Sequence, residues 1–398
     1  MLREDIAKVK GDRKALPVTP QCRDKHFAVP RAVSSDFKER YSIMGLEKDA
    51  GFDLHSFYPH GARNLITDVP GVRVGHTTLH DGDIHTGVTA ILPRPDNWFR
   101  EKVTAGAFVI NGFGKSAGLV QVDEMGTIEA PIIMTNTLNV GTGLTGTIRY
   151  LLEKNPDIAD TSCTVNCVVT ECNDAALNDA RGLHVTEEHV RNAIVSASED
   201  FAEGAVGGGS GMTCMGFKGG IGSSSRKITF EGKEFHIGSI VMTNFGGPGT
   251  FVIGGRHVGE EVLRAPKKHF EDKGSIILVT ATDLPLTARQ CRRLAQRASA
   301  ALGRVGSSLG NQSGDISIAF STASVIPQYP DSLFLSLPVL HDNALDGVFT
   351  AAVEAMEESV VSALWHAETV TGRNGHTFRG FREVWEEYLK NEEGVFVK

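Results

Sequence analysis

A serine directly after a glycine heads the most strand-like run in the sequence, DKGSIILVTATDLP (272–285). The chemistry open to Ser275 is nucleophilic, and a serine hydroxyl attacks poorly unless a base assists it. Taken alone, the run reads as a structural serine at the first position of a buried strand. Other reactive groups form no constellation around it. His76, His80 and His85 lie close together, but their spacing is not HExxH and the intervening TTLHDGDI reads as a turn, so no metal is expected. No GxSxG elbow directly between a strand and a helix occurs, which leaves an α/β-hydrolase without support, and nothing singles out a histidine partner. In GFGKSAG (112–118) the first glycine of a Walker loop is replaced by Val109, so a turn-rich loop is the better account. Cys22, Cys163, Cys167, Cys172, Cys214 and Cys291 match no common zinc pattern, and Cys163 and Cys167 fall in a strand-like run. They read as reduced, mostly buried thiols of a cytosolic protein.

The elements that must position such groups are mainly strands. Six short runs rich in Val, Ile and Thr are bounded by Gly, Asn or Asp: TAGAFVING, APIIMTNTL, CTVNCVVTE, GSIVMTNFG, GSIILVTAT and DISIAFST. Helices are predicted over about Leu144 to Lys154 and Glu187 to Ala197. A third starts at Thr287, where Gln290 completes a capping box, and continues through LAQRASAALGRV. A fourth covers Ala344 to Ala367, with Val348, Ala352, Met356, Val360 and Leu364 forming an apolar stripe that packs against a sheet. Glycines crowd residues 204–226, which reads as a loop with close backbone packing. Many strands, few helices and no βαβα order predict two packed sheets with helices outside, and not a doubly wound sheet.

Composition excludes several classes. The chain has 398 residues, 41% hydrophobic and 22% charged, with a formal net charge of −8. That balance gives no electropositive footprint for nucleic acid. The basic residues from Arg289 to Arg297 read as one solvated helix face. No apolar run is long enough to span a bilayer, and MLREDIAKVKGDRK has no apolar core of a secretory signal, so a cytoplasmic location is expected. Residues 1–60 read as an N-terminal extension, and residues 61–398 as a single domain whose compact part begins near Asn64.

Five segments change the weight given to Ser275. NLITDVPGVRVGHTTL (64–79), VVTECNDAALNDARG (168–182), the glycine segment 204–226, VMTNFGG (241–247) and GNQSGDISIAF (310–320) occur together and in order. With Gly274-Ser275, the set resembles the L-aminopeptidase/D-esterase-amidase family, a self-processing group that includes β-peptidyl aminopeptidases. The resemblance covers about residues 60 to 380. It implies an α/β (α+β) fold, an αββα sandwich similar to N-terminal nucleophile hydrolases, and no cofactor. It also implies a precursor cut between Gly274 and Ser275 into an α-subunit, 1–274, and a β-subunit, 275–398. These would assemble as a homo-oligomer, a tetramer of processed heterodimers. Ser275 matches the nucleophile, Ser313 and Asp315 the pair that orients it, and Asn244 the oxyanion donor. Glu171 matches the acid that holds the substrate's free amine. Asn173 stands where some members carry an aromatic, and Asp315 is one methylene shorter than the family's glutamate. Ala175-Ala176 replaces a bulkier stretch.

The logic of such processing is physical. Cleavage before Ser275 releases its own α-amine, whose unperturbed pKa of about 8 suits a general base near neutral pH. Attack by its hydroxyl on the carbonyl of Gly274 would start that cleavage, and glycine leaves the carbonyl open. The expected activity is release of small N-terminal residues from short peptides, amides or esters. Two other readings stay open: acyl transfer of the ornithine-acetyltransferase type, which uses threonine, and an unprocessed homologue without activity.

Overall fold

The computed structural model describes residues 52–95, 97–264 and 274–396, and the first 51 residues, most of the expected extension, lie outside them. Within it, two sheets stack face to face. The smaller contains β1 (Arg73–Asp81), β2 (Ile84–Leu92), β5 (Ile132–Asn136) and β6 (Val168–Cys172) in the order β1-β2-β5-β6. The β5/β6 pair is parallel, and the connection between them carries helix α2 (Val140–Lys154). The larger contains β3 (Glu101–Val109), β4 (Thr127–Ile128), β9 (Ile221–Phe230), β10 (Lys233–Asn244), β11 (Ser275–Thr282) and β12 (Gly314–Pro327). Its order is β4-β3-β12-β11-β10-β9, and only β11/β12 run parallel. The turn between β9 and β10 is Glu231-Gly232, with φ of +49° and +78°. That is the two-residue primed turn whose twist matches the flanking strands.

Helices cover both outer faces. α2 and α3 (Glu187–Val195) pack on the smaller sheet; α5 (Ala288–Ala295), α6 (Ala298–Arg304) and α7 (Leu345–His366) lie on the side of the larger. This is the expected αββα sandwich. Strand β11 and the second half of β10 are buried on both faces, which is why GSIILVTAT and GSIVMTNFG look nearly continuously apolar. On β11, Ile277, Val279 and Ala281 enter the core between the sheets, while Ile276 and Leu278 enter the core beneath α5 to α7. Each such buried Ile or Leu contributes about 1.5–3 kcal/mol relative to exposure. A third core, with Ile133, Val169, Leu151 and Ile194, lies under α2 and α3.

Several expectations need correction. Cys163 and Cys167 precede β6 and are not in a strand, because only residues from Val168 onward face a partner, Ile132 of β5. The helix beginning after Thr287 does have its capping box, but it is broken at Gln296–Arg297 into α5 and α6. The glycine segment 204–226 is not all loop: it contains the small hairpin of Thr213–Cys214 with Phe217–Lys218, and Ile221 starts β9. Short helices α1 (Leu119–Met125) and α4 (Val258–Leu263), and α8 (Phe381–Phe396), were not anticipated. Two small hairpins complete the described chain, β7 (Thr213–Cys214) with β8 (Phe217–Lys218), and β13 (Val370–Thr371) with β14 (Thr377–Phe378). Among the described residues no helix is long and apolar enough to cross a membrane.

Candidate active site

Strand ends from the middle of the larger sheet converge at one end of it. Asn244 closes β10, Ser275 opens β11 and Gly314 opens β12, and register pairs Asn244 with Ser275 and Ser275 with Gly314. Met242 and Ile277, two residues along each strand, point into the core between the sheets. Because side chains alternate with period two, Asn244 and Ser275 share that face. Directly opposed residues of an antiparallel pair hold their Cβ atoms about 5 Å apart, close enough for an amide to reach what a hydroxyl attacks.

Gly274 is dictated by backbone approach. A Cβ there would stand 2.2 Å from the Asn244 carbonyl oxygen and 2.5 Å from the Phe245 Cα. Its own carbonyl accepts from the Gly314 amide at 3.1 Å, so the bond before Ser275 already carries a polarising donor.

Ser313 and Asp315 flank Gly314. The Ser313 hydroxyl donates to Asp315 Oδ1 at 2.6 Å, and the Asn111 amide donates to Asp315 Oδ2 at 2.9 Å. The shorter acid therefore reaches its serine, since residues two apart on a strand share a face. Asn111 follows β3 and is held by backbone bonds to the same aspartate, its carbonyl accepting from the Asp315 amide at 3.0 Å. The pair is tied to the nucleophile through the Gly314 to Gly274 hydrogen bond.

Glu171 comes from the other sheet, one residue before the end of β6, and is buried. It accepts the Lys115 backbone N–H at 2.7 Å and the Thr137 hydroxyl. Two donors leave an ionised carboxylate with acceptor capacity for an incoming ammonium. The GFGK stretch is thus part of the site: Gly114 lies so close that a Cβ would be 3.4 Å from both Glu171 Oε1 and Gly314 Cα, and the Phe113 amide donates to the Ser313 carbonyl at 3.3 Å. Asn173 is exposed, and its Oδ1 accepts the Ala175 N–H at 3.0 Å. That engagement stabilises its own loop and leaves the amide donors outward.

Four groups beside these residues escaped the reading of the sequence. Cys172 lies beside Ser275 and donates to the Met242 carbonyl at 3.6 Å. Burial, reinforced by the neighbouring Glu171, pushes this thiol well above its usual range, so it packs as a neutral group. Asn111 and Thr137 carried no distinguishing signal beyond lying at strand ends. Thr213 donates its backbone N–H to Asn244 Oδ1 at 3.1 Å, which turns the NH2 end of that amide into the free-standing donor. Backbone donors of this kind leave no trace in residue type.

The chain as a whole is similar to known proteins. The model of peptidase family S58 matches residues 64–378. The chain is 39% identical over 345 residues to the β-peptidyl aminopeptidase BapA of Sphingosinicella microcystinivorans, covering 80% of this chain and 85% of that protein. The PH0078 protein of Pyrococcus horikoshii OT3 superposes with a TM-score of 0.81 at 45% identity, covering 87% of this chain and 99% of that one. The L-aminopeptidase D-Ala-esterase/amidase of Ochrobactrum anthropi, described as a variant of the Ntn hydrolase fold, superposes with a TM-score of 0.79 at 36% identity, covering 87% and 98%.

Proposed function

Since this chain belongs to peptidase family S58, we propose that its chemistry runs from Ser275 after cleavage of the Gly274–Ser275 bond into subunits 1–274 and 275–398. The enzyme is a hydrolase of the serine aminopeptidase and amidase type. The observation that carries the residue assignment is the register that sets Asn244, Ser275 and Gly314 side by side.

In the precursor, the Ser275 hydroxyl attacks the Gly274 carbonyl, which the Gly314 N–H polarises. The C–N bond breaks, the Gly274 acyl group moves to the serine oxygen, and water hydrolyses the ester. The freed α-amine of Ser275 then takes the hydroxyl proton as a substrate carbonyl is attacked. Asn244 donates to the developing oxyanion, a contribution of roughly 3 kcal/mol in comparable sites. The amine departs with the proton, and water releases the acyl group. Ser313, held by Asp315 and Asn111, orients the new chain terminus. Glu171 pairs with the substrate's ammonium, which limits the enzyme to free N-termini.

The substrates are small peptides or amides. The processed chains form a homo-oligomer, a reading supported by the exposed apolar side chains Leu333, Phe334 and Leu335. Cysteine usage in the sequence supports a reducing, cytoplasmic compartment. Hydrolysis of amino-acid amides with free or acetylated amines tests the assignment, with α-L, α-D and β-amino acyl groups in one panel. Turnover of free amines alone, lost in Ser275→Ala, is expected. Equal turnover of acetylated amides would remove the role given to Glu171, and an active Ser275→Ala would remove the nucleophile.

A further inference from the structure

The glycine-rich loop before β9 encloses a charge that this chemistry does not use. Lys218 is fully buried, and its ammonium donates to the carbonyls of Gly209 at 3.0 Å, Met212 at 2.8 Å and Gly219 at 2.6 Å. Three donors meet three neutral oxygens, so the cation is satisfied as a hydrogen-bonding group. Its loop can close this tightly because side chains are missing: a Cβ on Gly209 would stand 2.6 Å from the Ile221 amide, and one on Gly219 would stand 2.5 Å from the Thr243 carbonyl. The charged or ionisable groups facing Lys218 are Asp174, Cys214 and His85. Burial pulls the ammonium down to about 7, and Asp174 opposes that shift.

One of the three carbonyls matters for the site. The Met212–Thr213 peptide accepts the Lys218 ammonium on its oxygen and donates its N–H to Asn244 Oδ1 at 3.1 Å. An amide is a conjugated unit, so drawing density onto its oxygen makes its N–H a better donor. The same holds for the Asn244 side chain, whose oxygen accepts and whose NH2 then donates more strongly. Hydrogen bonds in series polarise one another, and a charged member strengthens the series.

We propose that Lys218 is a positioning residue for the oxyanion site, fixing and polarising the Asn244 amide through the Met212–Thr213 peptide. This rests on Asn244 being the oxyanion donor. A lysine that only held the loop together would affect stability without coupling to Asn244.

A double-mutant cycle separates the two. Lys218→Met, Asn244→Ala and the double variant are compared by kcat and KM on a small amino-acid amide, or by the rate of Gly274–Ser275 cleavage where a variant remains uncut. Lys218→Met is expected to lower kcat about tenfold or more with KM changed less than about threefold, and to add at most about twofold to Asn244→Ala. The same loss in both backgrounds, or an unchanged kcat in Lys218→Met, would overturn the proposal. An Asn244→Ala variant with normal kcat would instead overturn the oxyanion assignment beneath it. Should Lys218→Met fail to fold, Lys218→Gln fills the same cavity without charge. Thr213→Pro cuts the link while sparing the lysine, and both are expected to lower kcat alike.

Discussion

Arg226 and Lys218 are both fully buried cations near the larger sheet, and the fold answers them differently. Arg226, on β9, is met by carboxylates: Glu358 at 2.7 Å and Glu354 at 3.3 Å, both on α7. Those acids are themselves closed off. Glu354 accepts the backbone amides of Phe57 and Tyr58, and Glu358 is bonded by His60 and Asn64. The network is inward-looking and stitches residues 57–64 to α7. Lys218 is met by carbonyls, which orient its charge without cancelling it, and one of those carbonyls belongs to the peptide that holds Asn244. A fork-shaped guanidinium suits the first task and a compact ammonium the second. The contrast teaches that burial of a charge says little about its purpose, whereas the partner at the end of the hydrogen-bond chain says a great deal.

The largest effect expected is outside both networks and calibrates them. Ser275→Ala should reduce hydrolysis by about a millionfold, as loss of a nucleophile does elsewhere, with no loss of stability in denaturant. Arg226→Met should then cost about 3–5 kcal/mol in urea unfolding, because two buried acids lose their partner. Its kcat per folded molecule should stay within about twofold of wild type. A normal stability, or a collapsed kcat in well-folded protein, would erase the distinction from Lys218. Asn244→Ala should show the converse: kcat down about 100- to 1000-fold at nearly constant KM, and an ordinary melting temperature. Glu171→Gln should raise KM for free-amine substrates about tenfold or more, a loss in the range of hydrogen bonds to charged groups.

The smallest effect is on acid stability. Burial alone would raise the Glu358 carboxyl, but the charge of Arg226 and the bonds from His60 and Asn64 bring it from the ordinary 4.5 down to about 2. A depressed folded value means that the stabilisation is present above about pH 4.5 and is lost as pH falls toward 2. Thermal melts of wild type and Glu358→Gln from pH 6 to 3 should converge as pH drops. Parallel curves would mean that this ion pair does not contribute as described.

The strands were legible because β-branched runs bounded by glycine have few other uses, and helix α7 because its apolar stripe recurs every fourth residue. Ser275, Asn244, Glu171, Ser313 and Asp315 could be singled out through the segments around them. The rest was hidden for physical reasons. A backbone donor such as the Lys115 or Thr213 N–H is the same in every residue, so GFGK looked like a failed phosphate loop and not like a support for Glu171. Lys218 and Arg226 belong to residue types that normally stay in water, and only a three-dimensional shell of oxygens makes their burial tolerable. Cys163 and Cys167 misled because β-branched neighbours favour a strand only where a partner strand is available.

The central claim is that Ser275 becomes a chain terminus and that its own amine activates it. N-terminal sequencing of purified, hydrolytically active protein addresses this directly. Two polypeptides are expected, the second beginning Ser-Ile-Ile-Leu, and a single intact chain for Ser275→Ala. Full activity from one uninterrupted polypeptide would contradict the account.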